Sequence, residues 1–186
     1  MKAVATRKVF SVNDYHKMIK AGVFAENSNF ELIEGEILEK FSRSCLHEAC
    51  RTRLAYHFSN ELGDNIIVSQ ICPVILSDFS EPEPDVALLK FKKDFYASGK
   101  PKPEDILLLI EVADTTVSSD RQIKIPLYAR AEVPEVWLVN LPRKVVEIYT
   151  EPKNGKYKIV RKATKSETIT PKMIADLSVK VSDIIG

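Results

Sequence analysis

The run ILLLIEVA, residues 106–113, constrains this chain more than any other segment. It is apolar on both faces, so it reads as a central strand covered on both sides. A polar turn over residues 115–120 follows it, then a helix over 121–131 and a second buried strand over 136–139. Strand, helix and strand at this spacing predict a right-handed crossover that sets the two strands parallel. Glu111 stands near the end of the first strand, after five apolar residues from Ile106.

The flanking segments are less regular. Residues 11–22 read as a short helix, with Ser11 as cap, Asp14 as its acidic partner and Gly22 as stop. FELIEGEILEK, residues 30–40, reads as a hairpin turning at Glu34-Gly35. Ser44 caps a helix over residues 45–62, whose wheel puts Leu46, Ala49, Cys50, Leu54, Phe58 and Leu62 on a buried stripe, with Ala55 pointing away. Short strands are expected at residues 65–69 and 86–89, separated by the proline-broken DFSEPEP, and a surface loop over 91–104. Residues 145–150 and 156–161 flank Asn154-Gly155 as a second hairpin, and residues 176–185 pack an apolar terminal segment against the domain or form an interface with a second copy.

At 186 residues, 45% of them apolar, the chain suits one domain spanning 1–186 with a sizeable core. Its 27 basic and 26 acidic residues leave a formal charge of +1, so no global attraction to nucleic acid is expected. Cys45, Cys50 and Cys72 lack metal-ligand spacing and read as reduced, mostly buried residues. No secretory or membrane segment is apparent, which leaves the cytoplasm as the default location.

Asp85 and Glu111 are the residues that break their strands' rules. Asp85 opens an apolar strand directly after Pro84, and Glu111 interrupts the most hydrophobic one. A buried carboxylate costs several kcal/mol unless it is compensated, by a salt bridge or by a divalent metal shared between two of them. Lys124 falls inside the apolar arc formed by Ile123, Leu127, Tyr128 and Ala131, so it points toward the sheet where Glu111 emerges or snorkels past to water. Pro126 is expected to kink the helix beside it. Lys90, Lys92 and Lys93, with Phe91 and Phe95, are candidates for phosphate-backbone contact or for a charged loop on apolar anchors. Trp137 reads as core.

The series Pro84-Asp85, then Glu111-Val112-Ala113, resembles the PD-(D/E)xK nuclease signature. The wider order resembles the Uma2 family of restriction endonucleases: FELIEGEI, His47, EPDVA, LIEV, Asp120 with Lys124, YAR and VPEVWLV. The resemblance implies a restriction-endonuclease-like fold of the α/β (α+β) class, a mixed central sheet with flanking helices and an added N-terminal hairpin. It implies Asp85 and Glu111 as ligands of Mg²⁺ (or Mn²⁺), with Lys124 as the third catalytic residue. The signature lysine two positions after Glu111 is replaced by Ala113, and Lys124 is expected to supply its amine from the helix. Glu34, His47 and Asp120 are accessory candidates. The implied activity is metal-dependent hydrolysis of DNA, with possible homodimerisation. The competing reading is a catalytically inactive nucleic-acid-binding or interaction module of the same fold.

Overall fold

The run ILLLIEVA becomes an inner strand of a six-stranded sheet. The computed structural model describes residues 6–25, 29–40 and 43–186. In chain order the elements are α1 (Val12–Lys20), β1 (Phe30–Ile33), β2 (Glu36–Glu39), α2 (Cys45–Glu61), β3 (Ile66–Gln70), β4 (Val86–Lys90) and β5 (Ile106–Ala113). They continue as α3 (Val117–Ser119), a π turn (Asp120–Lys124), α4 (Ile125–Arg130), β6 (Glu135–Asn140), β7 (Val145–Lys153), β8 (Lys156–Thr164), β9 (Thr168–Ile169), β10 (Val179–Lys180) and α5 (Val181–Ile185).

The main sheet runs β3-β4-β5-β6-β7-β8. Only β5 and β6 are parallel, as the strand-helix-strand spacing requires, and their other neighbours are antiparallel. This is a mixed α/β architecture with helices on both faces. One face buries Leu108, Ile110, Val112, Trp137 and Val139 under Cys50, Leu54 and Phe58 of α2 and Val181 and Ile184 of α5. The other buries Ala87, Leu109, Ala113, Val136 and Leu138 under Ile125, Tyr128 and Val133. Burial on both sides explains why β5 lacks an alternating pattern.

Both expected hairpin turns form. Glu34 and Gly35 have φ of 50° and 81°, and Asn154 and Gly155 have φ of 53° and 73°, the left-handed pairs that a two-residue turn between twisted strands needs. Gly35 is constrained further, because a Cβ there would sit 2.6 Å from Cβ of Val9. Helix α1 begins in a reciprocal capping box, Ser11 accepting from the Asp14 N–H and Asp14 from the Ser11 N–H.

Several expectations need correction. Leu46 is 67% exposed and Ala55 is buried, because α2 packs through His47, Cys50, Leu54, Ala55 and Phe58, a stripe rotated from the wheel's. Cys45 is exposed, not buried. Ile123 is 37% exposed, because the π turn rotates it away from the sheet. The apolar tail is spent within the chain: Leu177, Val179, Val181 and Ile184 belong to its own core and are not free to form an interface. Arg53 of α2 secures it by donating to the carbonyls of Ile184 and Ile185.

Phe58 has no exposed surface and its ring meets Trp137 at 6.2 Å between centroids, tying α2 to the sheet. Phe58→Ala is expected to cost about 3–5 kcal/mol in urea unfolding, from lost transfer energy plus the cavity left behind.

Candidate functional site

The register of β4 on β5 determines where the two anomalous carboxylates meet. Val86 lies opposite Ile110, Ala87 opposite Leu109 and Leu88 opposite Leu108. Continuing that register by one residue sets Asp85 across from Glu111, on the face shared by Ala87, Leu109 and Ala113. Like charges placed opposite each other on a buried sheet repel, so this pair requires compensation.

Each carboxylate obtains it differently. Asp85 Oδ2 accepts from the Val112 N–H at 2.8 Å and lies 3.1 Å from His47 Nε2. Burial alone would raise its pKa, but the hydrogen bond and charge of His47, with the Val112 N–H, hold it below the ordinary aspartate value. Glu111 Oε1 takes the Tyr128 hydroxyl and lies 3.1 Å from Lys124 Nζ. There burial dominates, and with Asp85, Asp120 and Glu31 nearby it pushes the carboxyl up to about 8 against the pull of Lys124. Lys124 keeps its proton: burial opposes the charge, but the carboxylates of Glu111, Glu31, Asp120 and Asp85 outweigh it and raise its pKa.

Lys124 owes its aim to an irregular helix. Pro126 has no N–H to offer the carbonyl of residue 122, and its ring would press against that carbonyl in a regular α-helix. The chain widens instead into a π turn over Asp120–Lys124, in which the Ile125 N–H reaches back five residues to the Asp120 carbonyl. Pro126 then falls in the first turn of α4, where no donor is required, so the expected kink is a change of helical pitch. The turn buries both Asp120 and Lys124. Its outer end is fixed by Arg121, which donates from Nε to Glu147 Oε2 at 2.8 Å and from Nη2 to Oε1.

Glu31 is the member that sequence reasoning did not find. Its Oε2 lies 3.1 Å from Lys124 Nζ, so the amine bridges Glu31 on the N-terminal hairpin and Glu111 on the sheet. The same oxygen accepts from the Glu83 N–H. The signal was a charged residue between Phe30 and the buried pair Leu32 and Ile33, but the Glu34-Gly35 turn drew attention to Glu34.

Asp85, Glu111, Lys124, Glu31, His47 and Asp120 all line one cavity of about 160 Å³. Asp120 accepts from Thr116 Oγ1 at 2.7 Å, and its carboxyl is raised chiefly by burial. Lys40 and Arg43 line the same cavity and both reach Glu83 Oε1. Glu34 does not join the group. It is exposed, pairs with Arg130 at 2.9 Å and borders a separate hollow beside Val9, Leu76 and Phe79. The lysines of the 90–93 segment also lie elsewhere. Lys90 ends the strand whose start follows Asp85, while Lys92 pairs with Asp105 and stacks over the Tyr96 ring. His16 binds the buried Glu81, outside the cavity.

Among the described residues, no three His, Cys, Asp or Glu side chains form a preassembled metal cage. The donor chemistry still suits a hard dication. Mg²⁺ commonly uses one or two protein carboxylates and completes its shell with water and substrate oxygens. Glu111 and Asp120 are raised chiefly by burial, with Asp85 and Glu31 adding to it against the pull of Lys124.

The chain belongs to the Uma2 family, described as a putative restriction endonuclease, whose model matches residues 12–182. No curated protein sequence matches it. Its structure is similar to the crystal structure of a putative nuclease belonging to DUF820 from Anabaena variabilis, with a TM-score of 0.72. That likeness covers 95% of this chain and 97% of the other at 13% identity, and it concerns the fold. Among the described residues no helix is long and apolar enough to cross a membrane.

The Glu31–Lys124–Glu111 bridge and the Glu34–Arg130 pair make opposite predictions. Glu31→Ala is expected to cost about 1–3 kcal/mol, because Lys124 loses one of its two carboxylate partners and the Glu83 N–H loses its acceptor. Glu34→Ala is expected to stay within about 0.5 kcal/mol, as for exposed pairs generally. Denaturant midpoints at neutral pH compare the two directly.

Proposed function

We propose that this protein is a divalent-cation-dependent nuclease that hydrolyses phosphodiester bonds of DNA, with Asp85 and Glu111 as the cation's protein ligands and Lys124 as the catalytic amine. The observation that carries the reading is the buried amine of Lys124, 3.1 Å from Glu111, on the sheet face where the register sets Asp85 opposite Glu111. Family membership supports the same chemistry.

A dication held by the two carboxylates would polarise a phosphoryl oxygen and lower the pKa of a water molecule. The remaining tasks fall to the chain's own groups. His47 and the Val112 N–H keep Asp85 ionised and fix its orientation. Tyr128 fixes Glu111 from the helix side. Lys124 presents a fixed positive charge to the phosphoryl group as negative charge accumulates on it, and Glu31 holds the amine in place. Water adds to phosphorus, the bond to one bridging ester oxygen breaks, and one new end carries phosphate while the other carries hydroxyl.

Labelled duplex, single-stranded and plasmid DNA with Mg²⁺ or Mn²⁺ test this. Asp85→Asn and Glu111→Gln should remain folded and lose cleavage. Lys124→Met should lose on the order of 100-fold or more in turnover at saturating metal, as when one charge-stabilising donor is removed. Mn²⁺ should also raise the melting temperature of the parent, by the equivalent of about 2.7 kcal/mol at a hundredfold excess over Kd, and leave Asp85→Asn unmoved. Parent-level cleavage by Asp85→Asn overturns the assignment. A parent that binds DNA with neither cleavage nor a metal-induced shift is the non-catalytic module instead.

A further inference from the structure

The cavity also holds two cations, Lys40 and Arg43, with no task in the reaction described above. The acidic group of Glu31, Glu111 and Asp120 lies around Lys124. Lys40 and Arg43 converge on a single oxygen, Oε1 of Glu83, and Arg43 Nε also faces Asp85 and Glu48. Lys40 and Arg43 side chains are only 14% and 19% exposed, so both charges are largely withdrawn from bulk water.

Arg43 is poorly committed to its protein partners. A guanidinium has five N–H donors in a fixed fork. Among the described residues one of them makes a hydrogen bond, from Nη2 to Glu83 Oε1 at 3.3 Å. Its Nε lies 3.7 Å from Asp85 Oδ1 and 3.9 Å from Glu48 Oε1, both beyond hydrogen-bonding distance. Arg121, by contrast, grips Glu147 with two parallel bonds. Arg43 therefore brings unused donors to the cavity rim, beside Ser44, the residue that caps α2 and donates to Asp114 Oδ2. That geometry matches a tetrahedral oxyanion, which accepts a guanidinium fork on two oxygens.

We infer that Arg43, with Lys40, forms a phosphate subsite that takes a backbone phosphate adjacent to the one cut, and so positions the DNA strand across the carboxylate pair. The inference rests on the proposed nuclease function. Its role is positioning: the subsite determines where the strand lies, and Lys124 acts on the phosphate that reacts.

The test separates this from the parent reading and from a purely structural Arg43. DNA affinity is measured by fluorescence anisotropy on a labelled duplex across a salt series, with Mg²⁺ present, in the full chain carrying Lys124→Met so that cleavage does not intrude. Adding Arg43→Gln is expected to weaken binding about tenfold and to lessen the slope of log K against log salt by about 0.9, the signature of one lost phosphate contact. Arg43→Lys, which keeps the charge and loses the fork, should preserve the slope, and in the chain that retains Lys124 it should raise KM more than it lowers kcat. A folded Arg43→Gln with unchanged affinity and slope overturns the inference while leaving the nuclease reading intact. If Arg43→Gln does not fold, Arg43→Lys decides, and an unchanged KM overturns the subsite. A Lys124→Met parent without salt-dependent DNA binding overturns both.

Discussion

Two carboxylates set opposite each other on a buried sheet face are the constraint around which this structure is arranged. Asp85 and Glu111 repel each other, and neither is solvated well enough to tolerate it. The surrounding elements supply what water does not: a histidine from the head of α2, a main-chain N–H from β5, an amine from the π turn and a hydroxyl from α4. Each donor arrives on a different element, so the packing of both faces of the sheet meets at this one end. A site that lowered its own energy most would replace both carboxylates by apolar residues. Here both are retained, each held by partners of its own.

The parts of this arrangement that follow from covalent periodicity were legible in the sequence. The length and apolarity of ILLLIEVA gave the inner strand, the spacing to residues 136–139 gave its parallel neighbour, and Asn154-Gly155 gave the hairpin turn. Asp85, Glu111 and Lys124 stood out because each is a charge where burial was expected. Glu31 stood out less, because a short strand beside a turn carries glutamates for many reasons and only tertiary packing brings that one to Lys124. Leu46 and Ile123 were misplaced for a related reason. A wheel assumes a uniform pitch and a buried arc centred on the apolar residues, whereas α2 buries a stripe that includes His47 and Ala55 and the second helix changes pitch at Asp120.

Pro126 illustrates how a local liability is absorbed. In a uniform helix it would remove a hydrogen bond and clash with the preceding turn, at about 3 kcal/mol or more. Widening the preceding turn relieves the clash and places the proline where a missing donor carries no penalty. The same widening turns Asp120 and Lys124 inward and leaves Arg121 free to lock onto Glu147, two strands away from Glu111 in the register Glu111–Leu138–Glu147. A helix irregularity thus does the aiming that a strand position would otherwise do.

Ala113 shows why the amine comes from the helix in this chain. Residue 113 follows Glu111 on the same sheet face and is fully buried, in a cluster that includes Ile125, Tyr128 and Leu138. A lysine stem there would compete for volume with Tyr128, whose hydroxyl holds Glu111. With alanine at that place, Tyr128 seats against the strand and Lys124 enters from the turn above it. The cost is that the amine now depends on a second anchor outside the sheet, and the hairpin supplies it through Glu31. That makes the N-terminal hairpin part of the site's construction: its Leu32 bridges to Glu81, so the segment leading to Asp85 and the strand that steadies the amine are joined directly.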